Sequence, residues 1–215
     1  MIIAIDGPAA AGKGTMARRL AQVLGLAYLD TGLLYRAVGL TILIDGGDPT
    51  DETTATAIAE RLDRAMLEHH DIRGDAAAKA ASKVAAIPGV RAALLKFQRD
   101  FATRPPGGQS GAILDGRDIG TVVCPDAGAK IFITASPEAR AERRLKELRE
   151  RGIEAIHTTV LQDMKERDAR DQARDVAPLV PAEDADILDT TDLDADEAFE
   201  KALAIIESRK ERGRT

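Results

Sequence analysis

Five short runs along the chain are nearly continuous in apolar residues: 2–5, 27–29, 112–114, 130–134 and 186–188. Such runs suit strands buried on both faces of a parallel sheet. Between them the apolar spacing changes to that of helices. Met16, Leu20, Val23 and Leu24 recur at helical intervals, and Gly25 follows as a C-cap. Val90, Leu94, Phe97 and Phe101 do the same, with Pro88 placed to open the helix. Strands alternating with helices predict an α/β fold: a five-stranded parallel sheet covered on both faces.

The alternation is interrupted twice. Residues 33–101 lie between the second and third strands and are mostly helical in pattern, which predicts an insert. Residues 137–175 are crowded with charge and helical in character, where a lid would sit. The core is then 1–32, 102–136 and 176–215. Residues 105–111 form a Pro- and Gly-rich loop leading back to the sheet. The basic tail, residues 208–215, is expected to fray.

Composition narrows the classes. A chain of 215 residues with 44% hydrophobic and 31% charged residues fits one α/β domain with an insert or lid. Aromatics make up 3% and Trp is absent, which argues against base stacking on single-stranded nucleic acid. A net charge of -6 disfavours nucleic acid and anionic membranes. The one cysteine, Cys124, permits no intrachain disulfide and fits a reducing compartment. The first apolar run ends at Asp6, too short for a signal peptide or a membrane span.

The chemistry begins just past that run. Gly7, Pro8, Ala9, Ala10, Ala11, Gly12, Lys13, Gly14 and Thr15 connect a strand to an amphipathic helix. Small residues let backbone N–H groups wrap phosphates; the helix N-terminus adds a favourable dipole and Lys13 a point charge. The loop therefore predicts a P-loop NTPase three-layer fold that binds a nucleoside triphosphate. Gly14 stands where the strict pattern has Ser or Thr, and Thr15 follows it. Asp115, ending the third strand, is the expected Mg²⁺-directing acid, acting through water, with Thr15 as its hydroxyl partner. Asp6 also ends a strand and competes for that place.

A kinase of phosphorylated small molecules needs a second anion site, and guanidinium groups bind phosphate in bidentate fashion. Arg36, Arg91 and Arg117 lie in separate segments, while Arg167, Arg170 and Arg174 share one face of an expected helix. A solvated helix laced with salt bridges fits that last segment equally well, because Asp168, Asp171 and Asp175 form a parallel acidic stripe.

Taken together these blocks resemble the bacterial cytidylate kinases, within the nucleoside monophosphate kinases. The resemblance rests on residues 5–8 and 12–15, Leu29-Asp30-Thr31-Gly32 with Tyr35-Arg36, and Ala81-Ser82-Lys83-Val84-Ala85 with Pro88-Gly89-Val90-Arg91. It continues through residues 115–123 and 130–133, and through 165–179 with Arg167, Asp168, Arg170, Asp171 and Pro178. It implies that Ser82, Arg91 and Asp118 read the cytosine edge. Thr31, Arg36, Arg117 and Arg174 would hold the acceptor phosphate. Arg167 and Asp171 would meet the sugar hydroxyls, and Arg143 and Arg144 would close over ATP. Such kinases commonly carry a small antiparallel sheet in the monophosphate-binding insert. Residues 62–80 are short and show no alternation, so the insert is expected to be reduced.

The resemblance implies transfer of the γ-phosphate of ATP, with Mg²⁺, to CMP or dCMP by a cytoplasmic monomer. Lys13, Asp115, Arg117 and Arg174 would carry the transfer. The acceptor oxygen is already anionic, so no general base is needed, and His69, His70, His157 and Cys124 are expected to stay outside the chemistry. Two other readings stand beside this one: a kinase for UMP or AMP, and a regulatory protein that binds ATP without transferring phosphate.

Overall fold

A computed structural model describes residues 1–212. Five strands form one parallel sheet: β1 Ile2–Asp6, β2 Ala27–Asp30, β3 Ala112–Gly116, β4 Ala129–Thr134 and β5 Asp186–Asp189, in the order β2-β3-β1-β4-β5. Each apolar run forms the strand it predicts. β1 is central, so the loop that follows it opens into the crevice between its two neighbours. Open α/β sheets bind ligands there.

Helices α1 Lys13–Leu24 and α9 Ala195–Arg212 cover one face, burying Ile3, Ile5, Leu20, Ile131 and Ile206. The other face is covered by α6 Pro88–Thr103 and a single π-helical turn at Ile119–Val123, around Leu114, Ile119 and Val123. Gly25 caps α1 in the left-handed conformation, and Pro88 is the first residue of α6. Two members of the expected apolar stripes lie outward: Val23 is 59% exposed and Phe97 42%. Leu20 and Leu94 already fill the core beneath them.

Between β2 and β3 run α2 Thr31–Ile44, α3 Glu52–Glu60, the short α4 Arg64–Leu67, a 3-10 turn His70–Arg73, and α5 Asp75–Val84 before α6. They enclose a second apolar core of Leu34, Val38, Ile42, Ile58, Val90 and Leu94. Among the described residues this segment contributes no strand to any sheet. α2 and α5 pack so closely that a Cβ on Gly39 would lie 2.7 Å from that of Ala80.

The charged stretch after β4 forms α7 Pro137–Glu150 and α8 His157–Gln172. Ser136 caps α7 by accepting from Ala139 N–H at 3.2 Å, which is why the helix starts there. α8 stops before Arg174, so Arg167, Arg170 and Arg174 do not share one helix. Leu179 N–H donates to the Asp171 carbonyl and Ala177 takes φ 53, turning the chain away ahead of Pro178. The basic tail is helical as far as Arg212 rather than frayed. Arg209 pairs with Asp186 at 2.8 Å, and basic residues suit a helix C-terminus. Residues 213–215 lie outside the described residues. No helix among the described residues is long and apolar enough to cross a membrane.

Candidate active site

The phosphate loop is held in its shape by sterics. Gly7 has φ 143, and a Cβ there would lie 2.0 Å from the Ile133 carbonyl oxygen, so no larger residue fits. Ala10 takes φ 57, uncommon for a residue with a side chain. Gly12, with φ 88, starts α1. Lys13 is buried and its Nζ donates to the Pro8 carbonyl at 2.7 Å. Burial, then the Arg117 charge, lowers the Lys13 pKa.

The two strand-end acids behave differently. Asp6 accepts from the N–H groups of Ile119 and Gly120, both at 2.8 Å, which fixes the π-helical turn. Burial pushes its pKa up to about 6 against these two bonds. Asp115 instead lines a cavity beside Lys13. It sits opposite Asp30 in register, and burial with the Asp30 charge raises its pKa. Its Oδ2 accepts from the Tyr28 hydroxyl at 3.3 Å and lies 3.3 Å from where a Gly14 Cβ would stand. A raised carboxylate pKa beside a second acid marks a place where a hard cation is favoured, and Asp115 offers the oxygen chemistry such a cation takes. Thr15 is exposed and lines neither cavity described below.

A cavity of about 250 Å³ opens beside Lys13 and Gly14. Its walls bring together Thr31, Arg36, Ser82, Arg91, Asp115, Arg117, Asp118, Arg167, Asp171 and Arg174, contributed by segments that are far apart in sequence. Asp171 is 1% exposed and organises the cationic wall. It accepts from Arg117 Nε at 3.0 Å and from Arg174, with Arg167 Nε at 4.0 Å. Burial raises the Asp171 pKa, but Arg117, Arg174 and Arg167 together hold it below the ordinary range. Burial, then the Arg117 charge, lowers that of Arg167 to about 10. One carboxylate thus serves three guanidinium groups.

At the other end of the cavity Arg91 and Asp118 form a buried ion pair, and Arg91 also donates to the Ala85 carbonyl at 3.1 Å. Arg91 lies 5.6 Å from the Tyr35 ring centroid. Ser82 is buried beside them, 3.5 Å from Arg170 Nε. The Thr31 hydroxyl donates to the Asp115 carbonyl at 2.7 Å. Arg36 donates to the carbonyls of Ile72 and Gly74 at 3.2 and 3.3 Å.

A second cavity of about 560 Å³ adjoins the first, sharing Lys13, Arg36, Ser82, Arg117 and Arg167. Ala9, Ala10 and Arg144 line it, and Arg144 pairs with Asp75 across from the insert. Arg143 lines neither cavity. It is bound to the Thr190 carbonyl and, at 3.1 Å, to the Thr190 hydroxyl.

Three further polar residues were not distinguished by the sequence pattern. Arg73 and Glu147 line the first cavity, and Arg140 is buried against the phosphate loop. Arg140 and Glu147 sit in a charge-rich helix where their neighbours look alike, and Arg73 ends a short 3-10 turn, so only the fold singles them out. His69 and His70 stack with ring centroids 4.4 Å apart, and Asp71 joins them within 4.8 Å, outside both cavities. Cys124 is buried, and its burial pushes the thiol pKa up to about 11, away from the reactive thiolate.

The fold is similar to that of an uncharacterized protein from Eubacterium ventriosum, at a TM-score of 0.57 and 16% identity over 97% of this chain and 99% of that one. Sequence comparison reaches further. A cytidylate kinase from Paramagnetospirillum magneticum is 66% identical over 97% of this chain and 99% of its own. One from Rhodospirillum rubrum is 58% identical over 99% of this chain and 100% of its own. The sequence model of the cytidylate kinase family matches residues 3–208, and the chain belongs to that family.

Proposed function

We propose that the chain transfers the γ-phosphoryl group of ATP to CMP or dCMP, yielding ADP and CDP or dCDP. The observation that carries this reading is the cavity beside Lys13, where three arginines meet one carboxylate and a buried Arg91–Asp118 pair closes the far end. A phosphate in that cationic wall presents an anionic oxygen to the γ-phosphorus. The new O–P bond forms as the bond to the β-bridging oxygen breaks, and ADP leaves. No proton has to be removed from the acceptor. The work of the protein is to position the reactants and neutralise charge. Lys13 would meet the donor phosphates, and Arg36, Arg117 and Arg174 the acceptor phosphate.

Asp118 would accept from the cytosine amine while Arg91 donates to the ring carbonyl and N3. Uracil would turn an acceptor toward the same carboxylate, at a cost in affinity. Arg167 and Asp171 would face the sugar. Asp115 would hold Mg²⁺ through water. When bound, the ion supplies positive charge to the phosphates.

We read residues 33–101 as the acceptor-binding insert and 137–175 as a lid that excludes water. Arg144 lies on the lid side of the ATP cavity, and Arg143 would have to leave Thr190 to join it. We further place the enzyme in the cytoplasm as a monomer, acting on nucleotides where its single thiol stays reduced.

A coupled ADP-release assay with MgATP and, separately, CMP, dCMP, UMP and AMP tests the reading. Turnover confined to CMP and dCMP is expected. Preference for UMP or AMP would remove Ser82, Arg91 and Asp118 from a cytosine pocket.

A further inference from the structure

The donor and acceptor sides of the site are joined by one buried side chain. Arg140, on the second turn of α7, is 4% exposed. Its Nε donates to the Ala135 carbonyl at 3.0 Å, at the end of β4. One terminal nitrogen donates to the carbonyl of Ala9 in the phosphate loop at 3.2 Å, and the other to Asp168 Oδ2 at 2.6 Å. Asp168 lies on α8, between Arg167 and the Asp171 that gathers the acceptor-side arginines. Its other oxygen is buried and has no hydrogen-bond partner among the described residues, so Arg140 is the one partner Asp168 has there.

The bond to Ala9 falls on a sensitive peptide. Among the described residues no peptide bond is cis, and in a trans peptide the C=O and the next N–H point in opposite directions. Holding the Ala9 carbonyl toward Arg140 therefore fixes the heading of the Ala10 N–H. Ala10 is also the loop residue with φ 57, a conformation that persists only where its surroundings impose it. Ala9, Ala10 and Lys13 all line the second cavity.

We infer that Arg140 is a positioning residue that couples the phosphate loop to α8, so that acceptor bound against α8 tightens the binding of ATP. The inference rests on the proposed function for the identity of the two ligands. A ligand that fixes α8 fixes Asp168, hence the guanidinium, hence the Ala9–Ala10 peptide. Linkage then requires ATP to tighten acceptor binding by the same factor.

Arg140→Met would leave the half-buried Asp168 carboxylate without its partner and risk misfolding. Two milder variants keep the test open. Arg140→Lys keeps the charge but cannot reach three acceptors at once. Asp168→Asn keeps the shape and replaces the charge-assisted bond that ties the guanidinium to α8 with a weaker neutral one. Calorimetric titration with a non-hydrolysable ATP analogue, with and without CMP, reads the coupling. In the wild type CMP is expected to tighten analogue binding about fivefold or more, and in either variant by less than about twofold. KM for ATP should rise several-fold, while the affinity of each variant for CMP alone changes by less than about threefold. Undiminished coupling in both variants, or no coupling in the wild type, would overturn the inference. If the wild type does not phosphorylate CMP, the functional reading fails by itself. The same titration is then run with whichever monophosphate is turned over.

Discussion

The sides of the cavity that we propose bind donor and acceptor are built from different materials. The donor side is one contiguous loop of small residues whose working parts are backbone N–H groups, a helix N-terminus and a single lysine. The acceptor side is a set of side chains from distant segments, held by ion pairs: Arg91 with Asp118, and Arg117 and Arg174 with Asp171. A backbone site is stiff and indifferent to the base beyond the phosphates. A side-chain site can select, because hydrogen-bonding groups can be matched to one base and mismatched to another. Losses on the donor side should therefore appear in turnover, and losses on the acceptor side in affinity and choice.

Lys13→Ala is the harshest test of that division. It should lower kcat by about 10²-fold or more, as removing a phosphoryl-stabilising donor does. Near-normal steady-state turnover would break the comparison at once.

Asp6→Asn comes next and should act on stability rather than on choice of substrate. The Asp6 pKa is raised from 3.8 to about 6 in the folded chain. The folded state thus binds this proton more tightly than the unfolded state. The resulting stabilisation is fully present below about pH 3.8 and lost as pH rises through about 6. Relative to Asp6→Asn, the wild type should lose on the order of 2 kcal/mol between pH 4 and pH 7. Denaturant melts of both proteins across that range measure it, and parallel pH profiles would refute it.

Asp118→Ala is the smallest effect and the one that sharpens the contrast. The preference for CMP over UMP, read as the ratio of kcat/KM, should fall roughly tenfold, about the worth of a hydrogen bond to a charged group. KM for ATP should not move. An unchanged ratio would take Asp118 out of the base pocket.

Much of this molecule is local in origin and so can be read along the chain. The five strands are runs of apolar residues, Gly25 and Pro88 mark helix ends, and the phosphate loop is nine consecutive residues. Chain position alone misleads where the reason is tertiary. Val23 and Phe97 fit a helical stripe but face outward because the core beneath is full. Arg174 continues the spacing of Arg167 and Arg170 but leaves the helix, because Leu179 N–H captures the Asp171 carbonyl.

Asp6 and Asp115 make the last distinction. Both end apolar strands, and nothing in the sequence pattern separates them. The sheet puts them on adjacent strands, the π-helical turn uses both oxygens of Asp6, and only Asp115 is left to face the cavity. Sequence by itself determined the strands, the helix caps and the phosphate loop, since each depends on neighbours a few residues away. Tertiary structure decided which carboxylate stays open, which arginines share Asp171 and that Arg140 reaches the loop. Those facts depend on the distance between charges, and distance is set by packing.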